Sequence, residues 1–499
     1  MKLFSRQTPV FRNCINGQWL AARSGKIFED RNPADTREIV GLFPSSGSAD
    51  VNHAVSAAKE AFRFWSLVPA PKRGLILYEI GRALTQRKEE LAELMTREMG
   101  KVLEEARGDI QEAVDMAFYA AGEGRRLFGD TTPSELPDKF CLSVRRPVGV
   151  CAIITPWNFP MAVPSWKIFA ALMCGNSMVF KPSEDAPATG TRLVEIMQDC
   201  GVPSGVINLV HGDGTVGRAL VAHPDVNLVS FTGSCAAGRE IAQVCGKHLK
   251  KHSLELGGKN AQIVMDDADL KLAMEGALWG AFGTSGQRCT ATSRLILHKK
   301  IKQKFLRQWI PAIKKLSVGN GLAEGVQVGP IVNQAQMERV KSYVRIGLKE
   351  GARLLTGGKP ATSGELRYGH FFEPTVFDRV TPSMRIAQEE IFGPVVGVLE
   401  TESLEEAIEI LNGTSYGLSS SIYTRNVNQA FKAIRDLDAG ITYVNGPTIG
   451  AEVHLPFGGI KNTGNGHREG GRTVFDIFTE WKAAYIDYSQ KLQRAQIDT

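Results

Sequence analysis

Long apolar runs are missing from these 499 residues. The best candidate, IFAALMCGNSMVF, is broken by Gly175, Asn176 and Ser177, whereas a bilayer-spanning helix needs about 18 to 20 apolar residues in succession. No membrane contact is expected. Cysteine is also sparse: there are eight, with no CxxC pair and no dense spacing, which argues against a disulfide framework and for reduced thiols in a cytoplasmic protein. The start, MKLFSRQTPVFRNC, lacks the apolar stretch of a secretion signal. An excess of one charge is absent too, since the net +6 is the small difference between 59 basic and 53 acidic residues. Nucleic acid is therefore not an expected partner, and the local runs KHLKKH and HKKIKQK read as solvated faces. No metal site is expected either. Cys245, His248 and His252 have lysines among them and no fourth ligand, and Asp266, Asp267 and Asp269 lack the glycine and terminal glutamate of a calcium loop. Internal repeats and low-complexity segments are absent.

What is present is core material in quantity. A chain of this length exceeds the roughly 250 to 300 residues at which single cores stop growing, so two or three domains are expected. Residues 72–128 read as mostly helical, with Leu84, Leu91, Leu94, Met95, Val102 and Leu103 at helical spacing. From 148 short apolar strands alternate with amphipathic helices: VGVCAII, SWKIFAALMC, SMVFK, TGTRLVEIMQDC, VINLV, TVGRALVAH and VNLVSF. This βαβ alternation predicts a parallel, doubly wound sheet, with ligands beyond the carboxyl ends of its strands. A second α/β series follows LELGGKN and contains Cys289. The segments 129–147 and EWKAAYIDYSQ alternate like peripheral strands, which serve either as oligomer contacts or as plain sheet edges.

Several stretches carry candidate chemistry, each with an ordinary structural alternative. FTGSCAAG follows a strand and opens a helix, placing amides at Gly233 and toward Gly238 where a phosphate could sit; it is GxxxxG, not the GxGxxG fingerprint. In KPSED, Glu184 could accept from both ribose hydroxyls while Lys181 holds a hydroxyl or phosphate oxygen, which favours NAD over NADP; the alternative is a helix cap. Glu255, between two leucines in LELGG, suits a desolvated general base or a paired structural glutamate. Asn158, pinned between Pro156 and Pro160, is either an oxyanion donor or a turn residue. Cys289 in GTSGQRCTAT is either an inert buried thiol or a nucleophile with access among small residues, where the charge of Arg288 could favour the thiolate.

Taken together, PWNFP, KPSED, FTGS, LELGGKN, GQRCT and EEIFGPV resemble, in order and spacing, the aldehyde dehydrogenase superfamily over nearly the whole chain. The resemblance implies an α/β subunit of three parts. A Rossmann-like NAD-binding domain would take 1–128 and 148–255, oligomerisation strands 129–147 and 479–499, a catalytic domain 256–452, and a return segment 453–478. It implies a homodimer or homotetramer acting on a small-molecule aldehyde with NAD. Cys289 would be the nucleophile, Glu255 the base and Asn158 the oxyanion donor. Cofactor contacts would come from Thr155, Pro156, Trp157, Lys167, Lys181, Ser183, Glu184, Gly214, Thr232, Gly233, Ser234, Gly238, Gly257, Glu390 and Phe392. Further likeness of GTSGQRCTATSR, IGAEVHLPFGG and NTGNGHREGG to the antiquitin-like, semialdehyde-oxidising branch implies a carboxylate-bearing semialdehyde touched by Arg288, Glu112, Gly450 and Ala451, although His454 and Leu455 depart from that branch's pattern. Two other chemistries use the same thiol: transfer of the acyl group to coenzyme A, and cofactor-free ester or thioester hydrolysis.

Overall fold

The computed structural model describes residues 8–497; residues 1–7 of the basic N-terminal stretch and 498–499 lie outside the described residues. Two seven-stranded sheets form the two lobes. The first runs Lys251–Glu255, Leu228–Thr232, Val150–Ile154, Ser177–Lys181, Ile207–Leu209, then Asn13–Ile15 and Gln18–Leu20. Its first five strands are parallel, and the last two join antiparallel. Strands such as Val150–Ile154 and Ser177–Lys181 are buried along their whole length, because helices cover both faces. That is why they read as continuous apolar runs rather than as alternation.

The second sheet runs Arg353–Thr356, Thr375–Asp378, Val395–Thr401, Arg294–His298, Ala261–Val264, Ser419–Tyr423 and Ile441–Val444. It is parallel except for the Arg353–Thr356 edge. The chain is thus α/β, with a Rossmann-like sheet and a second α/β lobe. The helical region resolves into Ala70–Gln86, Lys88–Met99 and Leu103–Glu123. Gly100, at φ +87, ends the second of these in the left-handed conformation glycine adopts without strain, and a side chain there would strike Pro330 of the other lobe. The first turn of Leu103–Glu123 is thereby set against the lobe that carries Cys289.

The two alternating segments are not separate edges. Lys139–Pro147 pairs along its whole length with Thr479–Asp487, and Thr131–Pro133 adds a third antiparallel strand. The return stretch crosses from one lobe to the other: Ile460–Lys461 pairs with Tyr416–Gly417, Gly464 bridges to Glu255, and Val474–Ile477 packs into the first core. Among the described residues no helix is long and apolar enough to cross a membrane.

Candidate active site

Three loops meet at the carboxyl ends of neighbouring parallel strands. Thr155 and Trp157 follow Val150–Ile154, Ser183 and Glu184 follow Ser177–Lys181, and Gly233 and Ser234 follow Leu228–Thr232. Thr155 N–H donates to the Lys181 carbonyl at 3.2 Å, which locks the first two loops together. Lys181 Nζ lies 3.3 Å from Glu184 Oε2, whose side chain is half exposed. Ser234 caps the helix Cys235–Lys247 by accepting from Ala237 N–H, and Asp213 caps Gly214–Ala222 in the same way. The buried hydroxyls of Thr155 and Thr232 have no protein partner. Unpaired donors of that kind, between a helix N-terminus and a ribose-sized carboxylate, fit a dinucleotide.

The groove continues into a cavity of about 230 Å³ walled by Trp157, Asn158, Gly257, Cys289, Glu390 and Phe392. Phe392 sits at φ +60, an uncommon conformation for a bulky residue. It is held there by Gln336 Nε2, which donates to its carbonyl at 2.7 Å, and by an edge-on contact with Trp157 at 5.4 Å between centroids. Glu390 accepts from Gly258 N–H at 3.0 Å, and a Cβ at Gly257 would overlap its carboxylate.

A second chamber of about 140 Å³ shares Cys289 and Thr232 with the first and adds Glu255, Arg288, Gly450 and Ala451. Glu255 ends the strand Lys251–Glu255 in register with Thr232. It is 3% exposed, both its oxygens lack a protein partner, and burial together with the charge of Glu469 holds its carboxyl well above the usual range. Gly458 leaves it room, since a side chain there would stand 2.7 Å from Glu255 Oε1. Asn158 is 4% exposed and donates Nδ2–H to the Gln287 carbonyl at 3.0 Å. One N–H of the amide is thereby used to orient the group, and the other remains for a ligand oxygen. Asn260 Nδ2 donates to the Cys289 carbonyl at 2.7 Å, fixing the backbone at the thiol. A thiol, a poised amide and a dry, unpaired carboxyl can together form, stabilise and hydrolyse a covalent acyl intermediate.

The sequence and fold match known proteins throughout. Residues 19–484 match the aldehyde dehydrogenase family. The chain belongs to that family. It is 42% identical to the alpha-ketoglutaric semialdehyde dehydrogenase of Bacillus subtilis, over 96% of this chain and 98% of the relative, and 39% identical to the betaine aldehyde dehydrogenase of the same organism, over 94% and 96%. A crystal structure of betaine aldehyde dehydrogenase from Staphylococcus aureus with NAD+ superposes with a TM-score of 0.94 at 36% identity, covering 96% of this chain and 95% of that one. The site chemistry is accordingly that of an NAD-dependent aldehyde dehydrogenase.

Not every residue anticipated for this dehydrogenase lies where its motif suggested. Lys167 does not reach the groove: it is fully buried on the helix Ala162–Cys174, where its Nζ binds Glu469 and lies 3.2 Å from Ser230 Oγ. Gly238 packs against Leu256, so it serves helix–strand contact rather than a ligand. Arg288 does not promote the thiolate. The Cys289 thiol is pushed up to about 12 by burial and by the nearby Glu390 and Glu255, while Arg288 is occupied by Glu105 at 3.2 Å. Glu112, Gly450 and Ala451 do line the chamber with Arg288, and burial lifts the Glu112 carboxyl to about 8. Glu105, Lys259 and Glu469 escaped the reading of the sequence, and nothing local marks Glu105 or Glu469. Lys259 Nζ is buried without a hydrogen-bond partner, and burial lowers its ammonium to about 7; its place in LELGGKN, two residues after Gly257, was the available signal.

Proposed function

We propose that the enzyme oxidises a small semialdehyde bearing a carboxylate to the corresponding dicarboxylate, with NAD as cofactor. The observation that carries this is the convergence on one chamber of Cys289, Glu255 and the guanidinium-bearing Arg288. Cys289 gives its thiol proton to solvent, Sγ then adds to the aldehyde carbon, and the oxyanion is stabilised by the free Asn158 N–H and the Cys289 backbone N–H. NAD, when bound in the groove, would supply the acceptor for the hydride of this adduct, and Cys289 Sγ is left carrying the acyl group as a thioester. Glu255 takes a proton from water, which attacks the thioester and releases the acid. Burial and the charge of Glu469 hold the Glu255 carboxyl well above the usual carboxylate range, which makes it a stronger base once ionised, and the Lys167–Glu469 pair offers nearby charges across which its proton can be balanced.

Glu184, Lys181, Thr155 and Thr232 hold the adenosine and phosphate end, Glu390 and Phe392 the nicotinamide end. The Glu184 carboxylate repels a 2′-phosphate and so favours NAD over NADP. The similarity to semialdehyde dehydrogenases supports the substrate class. Glu255 disfavours coenzyme A acylation, since a base that activates water speeds the competing hydrolysis. A panel of carboxylate-bearing, cationic and neutral aldehydes ranked by kcat/KM tests the reading: the first group should lead, and a lead by the cationic aldehydes overturns it. The free edges Thr479–Asp487 and Ile441–Val444, with Trp481 and Tyr485 exposed on the first, suit pairing with a second copy, in a dimer or tetramer. Eight unpaired cysteines suit a cytoplasmic setting.

A further inference from the structure

Glu105 lies in the first turn of the helix Leu103–Glu123, 183 positions before Arg288. Its side chain is 2% exposed and completely engaged. Its two oxygens accept from Thr284 N–H at 2.9 and 2.8 Å, Oε2 accepts from the Thr284 hydroxyl at 3.0 Å, and Oε1 accepts from Arg288 Nη2 at 3.2 Å. Arg288 Nε donates to the same hydroxyl at 3.0 Å, which closes a ring of three side chains. The ring braces an unfavourable turn: Thr284, Ser285 and Gly286 are all left-handed, at φ 50, 56 and 69, immediately before Gln287, Arg288 and Cys289. Gly283 is small because a Cβ there would stand 2.9 Å from Glu105 Oε1.

Bracing the turn needs only an acceptor for Thr284, and a neutral amide oxygen would serve. A buried carboxylate brings in addition a charge beside the Arg288 guanidinium, which lines both the chamber and a vestibule of about 710 Å³ beside it. Glu104 and Glu275 line only the vestibule, and nearer the chamber the other charges balance or withdraw themselves. Lys101 and Asp109 pair at 2.8 Å, and burial lifts the Glu112 carboxyl to about 8. Arg288 lies over the rings of Phe159 and Trp279, at 5.4 and 5.0 Å from their centroids, which adds to its hold beside Glu105.

We infer that Glu105 is a positioning residue that sets specificity: it presents Arg288 to the chamber already partly neutralised, so that a substrate carboxylate competes with an internal one for the same guanidinium. Such a grip recognises an anionic aldehyde yet releases a doubly anionic product, which a free buried arginine would retain. The inference rests on Arg288 being a substrate contact, and its test separates the two. The readout is the ratio of kcat/KM for a linear aldehyde ending in a carboxylate to that for the same aldehyde ending in a primary amide. Glu105→Gln should raise this ratio on the order of tenfold, through a lower KM for the anion, because a competing charge is removed in a partly dry site. Arg288→Gln should collapse the ratio, and Glu105→Gln added to it should change nothing further. Thr284→Ala, which keeps the charge, should leave the ratio within about twofold of the starting value. If Arg288→Gln leaves the ratio intact, the substrate contact is wrong. If it collapses the ratio but Glu105→Gln does not raise it, or slows both aldehydes alike, Glu105 is only a brace and the inference falls. It falls equally if Glu105→Gln unfolds while the double variant folds, or if Thr284→Ala reproduces the Glu105→Gln shift.

Discussion

Replacing Asn158 by alanine isolates the proposed oxyanion donor from the rest of the chamber. The side chain is 4% exposed, and its amide is held by one hydrogen bond of 3.0 Å to the Gln287 carbonyl, two residues before the nucleophile. The second N–H therefore points with little freedom into a cavity lined by Cys289. Losing one preorganised donor of this kind costs about 2.7 to 4 kcal/mol at the transition state, or roughly 10² to 10³ in kcat. Since the charge develops only as the thiol adds, kcat and kcat/KM should fall together and KM should stay near its starting value. A separate and smaller effect falls on stability, because the Gln287 carbonyl loses its donor in a buried place, at a cost of about 1 to 3 kcal/mol if water does not replace it. Steady-state NADH formation gives the first quantity and denaturant unfolding the second. A folded Asn158→Ala enzyme with kcat within about fivefold of the parent would refute the placement of the oxyanion at this amide.

Cys289→Ala should abolish NAD reduction while leaving the unfolding midpoint close to that of the parent, and any retained turnover would remove the thiol from the chemistry. Glu255→Gln should release about one equivalent of NADH per active site in a rapid burst and then turn over slowly, by roughly 10² to 10⁴ less, since acylation survives and hydrolysis loses its base; absence of a burst would place Glu255 before the hydride step. The Glu112 carboxyl is raised to about 8, so it is neutral below that pH and charged above it. KM for an anionic aldehyde should therefore climb as pH passes about 8, KM for its amide counterpart should not, and Glu112→Gln should flatten the difference. Burial likewise raises the Glu98 carboxyl from 4.5 to about 7. A raised acid stabilises the fold fully below its unfolded value and loses that contribution as pH rises through the folded one. Between those limits the parent, in which the buried Asp30 carboxyl is raised together with Glu98, should lose stability relative to Glu98→Gln, measurable by denaturant unfolding across the range.

Much of the architecture was legible because it is written locally. Runs such as VCAII and SMVFK declare strands buried on both faces, and the helices between them declare a parallel sheet whose strand ends gather the loops of Thr155, Ser183 and Gly233. The positions of Cys289, Asn158 and Glu255 were likewise legible, as short motifs in a recognisable order. Pairing between distant segments was not. Lys139–Pro147 and Thr479–Asp487 each look like an edge, and only the register from Thr479 opposite Pro147 to Asp487 opposite Lys139 makes them one ladder.

The sequence by itself determined which chemical groups exist and roughly which loops carry them: a thiol, a carboxyl and an amide on rigid turns, beside glycines that leave room. Tertiary structure alone decided the state of those groups. Protonation and charge depend on what is packed around an atom, and those neighbours are remote in the chain: Glu469 lies 302 positions from the Lys167 it binds, and Glu105 lies 183 from Arg288. A basic neighbour in the sequence suggested an activated Cys289, whereas the fold surrounds that thiol with carboxyls and hands the base to Glu105. Desolvation and long-range pairing are properties of the assembled lobes, and a linear pattern does not contain them.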